Sequence, residues 1–149
     1  MEASWIRVDR YFTELLVPSD EALEGALRRA AAGGLPRHDV APTQGKLLQL
    51  LARLAGARRI LELGTLAGYS TIWLARALPP GGRLVTIEAD AGYAAVARAN
   101  IERAGLDDVV ELRVGAAREA LAALAAEDRE PFDLVFIDAD KERNDEDLA

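Results

Sequence analysis

Three short runs in this chain carry residues with chemistry to offer. They are Glu62-Leu63-Gly64-Thr65-Leu66-Ala67-Gly68, a single acid at Glu88, and Asp138-Ala139-Asp140-Lys141. Glycines let a backbone approach a ligand without a Cβ clash. Carboxylates accept hydroxyls or hold cations, and a lysine moves protons when its charge is suppressed. The spacing E-x-G-x-x-x-G differs from the G-x-G-x-x-G turn that offers amides and a helix N-terminus to a pyrophosphate. Glu62 stands where the first glycine would, and a carboxylate is badly placed beside a pyrophosphate. It suits S-adenosylmethionine, which carries an ammonium and a sulfonium and no phosphate. Glu88 lies 24 residues past Gly64, at the next strand end, where an acid can accept both ribose hydroxyls. The expected ligand is therefore the methyl donor, and Glu62 disfavours a nicotinamide-dependent oxidoreductase.

These runs need a scaffold that brings them to one rim. After Arg59 the chain alternates strand and helix, with strands expected at Ile60–Leu63, Leu84–Glu88, Val109–Val114 and Phe132–Asp138. Helices are expected at Ser70–Leu78, Ala91–Ala104 and Ala116–Ala126, with Pro79-Pro80-Gly81-Gly82, Gly105 and Pro131 as punctuation. Short apolar strands alternating with such helices indicate an α/β fold with a parallel sheet. Ligands bind at the carboxyl ends of such strands. Each run alone has a plain structural explanation, since glycines make turns and strand-end acids are solvated. Three on one rim argue for a site.

The first forty residues read as helices. Trp5, Val8, Phe12 and Leu15 recur at helical spacing until Pro18, and Ser19 is placed to cap a second helix closed by Gly33-Gly34. A third helix follows Thr43 and carries Leu47, Leu48, Leu51 and Leu54. Trp5, Tyr11 and Phe12 suit burial against a neighbouring helix or a second subunit, so a homodimer is expected. Trp73 reads as packing and His38 as a loop side chain. Tyr69 is placed to touch the ligand.

Composition narrows the function classes. Half of the 149 residues are apolar, enough for one core, and the chain has no cysteine for disulfides or thiolate metal sites. No apolar run approaches the ~20 residues of a membrane span. The start MEASWIRVDR lacks the basic-then-apolar order of a secretory signal, which fits a cytoplasmic protein. Net charge is −7, and the last twelve residues hold six acids and two bases. With no basic patch, nucleic-acid binding is not expected. The partner is a small molecule.

The run ILELGTLAGYSTIWLARALPPGGRLVTIEAD, then Gly115-Ala116-Ala117, then PFDLVFIDADK, resembles the caffeoyl-CoA and catechol O-methyltransferases. VAPTQGKLLQLLARLAGARR resembles the segment preceding their glycine turn, and the likeness extends from about Trp5 to Lys141. The resemblance implies a Rossmann-like class I methyltransferase fold with parallel order 3-2-1-4. It divides the chain into a helical segment at 1–39, a donor-binding domain at 40–141 and an acidic tail at 142–149. It implies donor contacts at Val40, Glu62, Gly64, Thr65, Gly68, Ser70, Glu88, Ala117 and Asp138, with Ser70 binding the donor's carboxylate. Asp138 would also be the first ligand of a divalent metal, Mg²⁺ by preference. Lys141 would take the proton of a catechol-like hydroxyl acceptor, unless it is a surface lysine paired with Asp140 or Glu142.

Members of that family continue for a further third, with a fifth strand ending in an Asp-Asn pair that completes the metal site. The sequence here is expected to be a fragment, holding one of three protein metal ligands. Leu134-Val135-Phe136-Ile137 is expected to be buried on both faces with an unpaired outer edge. The alternative function is a non-catalytic module that binds the donor or only dimerises.

Overall fold

The computed structural model describes residues 2–18, 20–127 and 130–139. Among these residues, four strands form one parallel sheet: β1 (Arg59–Leu63), β2 (Arg83–Glu88), β3 (Val110–Val114) and β4 (Leu134–Ile137). Their spatial order is β3-β2-β1-β4, as expected. Six helices accompany them: α1 (Glu2–Leu16), α2 (Glu21–Ala32), α3 (Pro42–Leu54), α4 (Tyr69–Ala75), α5 (Ala91–Arg103) and α6 (Ala117–Glu127). The chain moves outward from β1 through β2 to β3, then returns to the other side of β1. That reversal opens a crevice at the carboxyl ends of β1 and β4.

Alternation along the strands sorts the core. Ile60 and Leu84 join Ala52, Ala57, Leu74 and Ala75 in one cluster. Leu61, Leu63, Val85 and Ile87 join Leu124 of α6 in another. Glu62 shares the Ile60 face by the same two-residue period, and its register partners are Thr86 on β2 and Phe136 on β4. Each wholly buried aliphatic here, such as Ile60, Leu63 and Leu84, contributes about 1.5–3 kcal/mol. A third cluster packs Leu23 and Ala26 of α2 on Tyr69, Ile72 and Trp73 of α4. All seven residues of α4 are buried.

Two acids outside the motifs hold the frame. Asp20 accepts from the amides of Ala22 and Leu23 at 3.0 and 3.1 Å, capping α2. It also takes the Arg76 guanidinium on both oxygens, at 2.7 and 3.2 Å, tying α2 to the end of α4. That guanidinium, more than the amides, holds the Asp20 carboxyl below its ordinary range. Asp133 Oδ2 accepts from the amides of Arg58 and Arg59 at 2.8 Å each, joining the entries of β4 and β1.

Several expectations need correction. Asp20 is the cap of α2, and Ser19 lies outside the described residues. α4 ends at Ala75, earlier than Leu78, because its last carbonyls are closed by tight bonds at Arg76, Ala77 and Leu78 before the prolines. α3 forms where a helix was expected; of its four leucines Leu48 packs on the core while Leu47, Leu51 and Leu54 are exposed, and Gly45, Gln49 and Ala52 are buried. Gly45 is inside because it meets the Trp73 indole, where an added Cβ would lie 2.4 Å away. β4 is not buried on both faces, since Val135 is half exposed. Trp73 is packing, as expected. No helix among the described residues is long and apolar enough to cross a membrane.

Candidate functional site

The glycine turn, residues 64–68, leaves the end of β1 and enters α4. Gly64 has φ +93°, and a Cβ there would fall 2.3 Å from the Asp138 carbonyl oxygen. Only a glycine lets β4's exit pass this close to the turn. Leu66 adopts φ +49°, a left-handed conformation that L side chains rarely take. The strain is held by Glu88, whose Oε2 accepts from the amides of Thr65 and Leu66 at 3.2 and 2.8 Å. Its Oε1 accepts from the Asp90 amide at 3.0 Å. A carboxylate offers about four lone-pair sites, so the turn and the following residue take most of them. Asn100 on α5 supports the turn from behind, donating to the Ala67 carbonyl at 2.9 Å.

Beneath the turn lies a buried hydroxyl–carboxylate network. Glu62 is fully buried. Its Oε1 accepts from Ser70 Oγ at 2.6 Å, and its Oε2 accepts from Thr71 Oγ1 at 2.5 Å and Thr86 Oγ1 at 2.7 Å. Thr86 Oγ1 lies 2.6 Å from Thr65 Oγ1. Since the Thr86 proton points to Glu62, Thr65 must be the donor of that pair. Burial pushes the Glu62 carboxyl up to about 7, against the three hydroxyls that favour its charge, and the charge of Asp138 adds to the rise.

A cavity of about 780 Å³ opens above, at the carboxyl edge of the sheet. That is within the size range of small-molecule sites. The structure brings Val40, Gly64, Thr65, Ser70, Glu88, Ala117 and Asp138 together on its wall, though they come from six separate segments. Glu62 and Gly68 are not on that wall. Glu62 points into the core beneath, and Gly68 is the left-handed N-cap of α4. Lys141 lies outside the described residues.

The sequence reading passed over other wall residues. His38, read as a loop side chain, lines the cavity, as do Pro36 and Asp39 beside Val40. Burial pushes the half-buried Asp39 carboxyl up, which the neighbouring His38 partly opposes. Tyr93, also passed over, reaches the wall from the first turn of α5, whereas Tyr69, which was expected to touch the ligand, is buried in it. Only adjacency to Val40 and to the strand end at Glu88 could have flagged Asp39 and Tyr93. Among the described residues, no three His, Cys, Asp or Glu side chains cluster as a metal cage.

A family model described as O-methyltransferase matches residues 15–145. A catechol O-methyltransferase of Niastella koreensis is 56% identical over 134 residues, covering 90% of this chain and 61% of that protein. One from Mycobacterium tuberculosis is 53% identical over 137 residues, with 92% and 61% covered. The O-methyltransferase of Bacillus cereus, solved in complex with SAH, superposes with a TM-score of 0.95 at 56% identity, over 97% of this chain and 66% of that one. The O-methyltransferase TomG of Streptomyces achromogenes, solved in complex with SAM, gives 0.91 at 51% identity, over 95% and 64%. The chain thus spans about three fifths of the length of the curated relatives it matches.

Proposed function

The chain belongs to the O-methyltransferase family, and from that premise we propose that it carries the S-adenosylmethionine site of an enzyme that methylates a hydroxyl of a small, catechol-like acceptor with divalent-metal help. The observation that supports this most is the cavity itself. Seven residues expected to touch the donor share one wall, and the solved relatives at 56% and 51% identity are described with SAH and SAM bound.

Methyl transfer is an in-line displacement. The acceptor oxygen forms a bond to the methyl carbon as the carbon–sulfur bond breaks, and the sulfur keeps the electron pair as a neutral thioether. Alignment supplies much of the acceleration. Glu88 holds the amides of Thr65 and Leu66 in place and keeps a free lone pair for a ribose hydroxyl. Lys141 is the base this reading assigns to the hydroxyl proton. A magnesium ion favours oxygen ligands and tolerates several waters, so Asp138 fits it in kind while offering a single carboxylate. When bound, the ion would lower the acceptor hydroxyl's pKa.

Donor binding by the chain should therefore not require added metal, since seven of the residues proposed to touch the donor already line the cavity. Glu88→Gln should weaken it about 10- to 150-fold, the range for losing a charge-assisted hydrogen bond. Glu102→Gln, on the outer side of α5, should leave it unchanged. Calorimetry giving equal affinities for the two variants would remove Glu88 from the site. Methyl transfer to a catechol, assayed with and without Mg²⁺, separates the enzyme from a binding-only module.

We further propose a second copy as the partner of α1. Trp5, Tyr11, Phe12 and Leu15 are exposed along that helix, with Leu47, Leu51 and Leu54 of α3 also exposed. An apolar surface of this extent is unusual on a monomer. Light scattering at micromolar concentration should report a dimer that Phe12→Glu dissociates; a wild-type monomer would dismiss it.

A further inference from the structure

The inference here rests on the donor reading and concerns the hydroxyl of Ser70. A serine hydroxyl has one proton and two lone pairs. In the structure that proton goes to Glu62 Oε1, 2.6 Å away, beneath the cavity floor. Ser70 therefore turns only lone pairs toward the cavity. That arrangement accepts from an ammonium and repels a carboxylate, whereas the family resemblance gives Ser70 a carboxylate to bind. Reversal of that bond resolves the conflict and leaves every buried group paired.

The two oxygens of Glu62 are not equivalent. Oε2 accepts from both Thr71 and Thr86, while Oε1 has Ser70 alone. A proton placed on Oε1 would be donated to Ser70 Oγ, and Ser70 could then donate its own proton outward. Nothing else in the network need change: Thr71 and Thr86 still donate to Oε2, and Thr65 still donates to Thr86. We propose that the Ser70–Glu62 hydrogen bond reverses when the cavity takes a ligand carboxylate at Ser70, with Glu62 gaining one proton from solvent. Glu62 is thus a positioning residue acting through Ser70, and ligand binding is coupled to proton uptake.

The surroundings favour this exchange. Neutral hydroxyls face Glu62 from α4 and β2, and Phe136 is its register partner on β4. The charge that reaches it is that of Asp138, beyond the end of β4, and it favours the protonated form. Glu88, further along β2, directs its oxygens to backbone amides instead. Burial already lifts the Glu62 carboxyl to about 7, so the proton is available near neutrality.

Glu62→Gln is an isostere of the protonated form. Its amide can donate to Ser70 while its oxygen accepts from the two threonines. The probe is S-adenosylhomocysteine, which has the carboxylate and ammonium but no sulfonium charge to oppose proton uptake. Calorimetry in buffers of different ionisation enthalpy counts the protons taken up. The wild-type chain should take up close to one proton per ligand at pH 8 and bind about 30-fold more weakly at pH 8.5 than at pH 6, given a free-state value of about 7. Glu62→Gln should bind as the wild type does at pH 6, with that proton uptake and pH dependence removed. His38 and Asp39 line the same cavity and are common to both proteins, so the difference between them isolates Glu62. Equal proton uptake by both proteins, or none by a wild type that binds, overturns the reversal alone. A wild type that binds nothing at any pH overturns the donor reading and the reversal with it.

Discussion

Replacing Gly64 with alanine is expected to cost about 3 kcal/mol or more, combining a left-handed penalty of about 1–2 kcal/mol with the cost of overpacking. The added Cβ would fall 2.3 Å from the carbonyl oxygen of Asp138, and that neighbour is backbone. Relief requires the exit of β4 to move away from β1, against the bond from the Asp138 amide to the Leu63 carbonyl at 2.9 Å. Gly56→Ala is the control, with φ +61° and nothing within 4 Å of an added Cβ. It should cost only the left-handed backbone penalty, about 1–2 kcal/mol. Urea denaturation of both variants measures the difference. Equal losses would mean that the turn and β4 do not meet as described. Because Gly64 and Asp138 both line the cavity, the alanine variant should also lose donor affinity, and the Gly56 variant should not.

The second large effect is on stability against pH. Glu62 rises from 4.5 to about 7 on folding, so the native state binds more protons than the unfolded chain between those values. Its contribution is fully present below pH 4.5 and is lost as pH climbs through 7. The expected loss between pH 5 and pH 8 is about 2.5 kcal/mol. Glu62→Gln has no proton to exchange and should lack this component, so its stability relative to wild type improves across the interval. Urea midpoints of both proteins at pH 5 and pH 8 give the comparison. A wild-type-minus-variant difference that stays constant would mean that Glu62 is charged in the fold throughout. This measurement needs no ligand, so it tests the buried carboxyl separately from donor binding.

Glu62 also shows where the sequence was legible and where it was not. The parallel sheet and its order could be read because apolar strands and helices alternate with clear punctuation. The acid was taken as part of the glycine turn because it sits two residues before Gly64. β1 does run to Leu63, as the strand reading had it, and that places Glu62 on the Ile60 face, pointing under the cavity. The two-residue period held that information. What it could not show was that Ser70, Thr71 and Thr86 converge on the acid, since they come from a helix and another strand. The leucines of α3 were legible in part. Their spacing signals a helix, but the inward face is set by a glycine that fits against Trp73, and volume matching across 28 residues leaves no periodic trace. Asp133 had no signal at all, because its partners are backbone amides 74 and 75 residues away.

The burial of all of α4 has a kinetic consequence. Amides in wholly buried elements exchange with solvent mainly through openings that approach global unfolding, whereas loop amides exchange through small local ones. One wall of the cavity is therefore as slow to open as the fold itself. The cavity is also lined by Pro36, His38 and Asp39, and Arg37 and His38 are exposed. For a ligand that enters past these exposed residues, the association rate is expected to follow the local opening of residues 36–40. Core substitutions that lower the melting temperature without emptying the native state should shift the exchange rates of α4 and leave that association rate where it was.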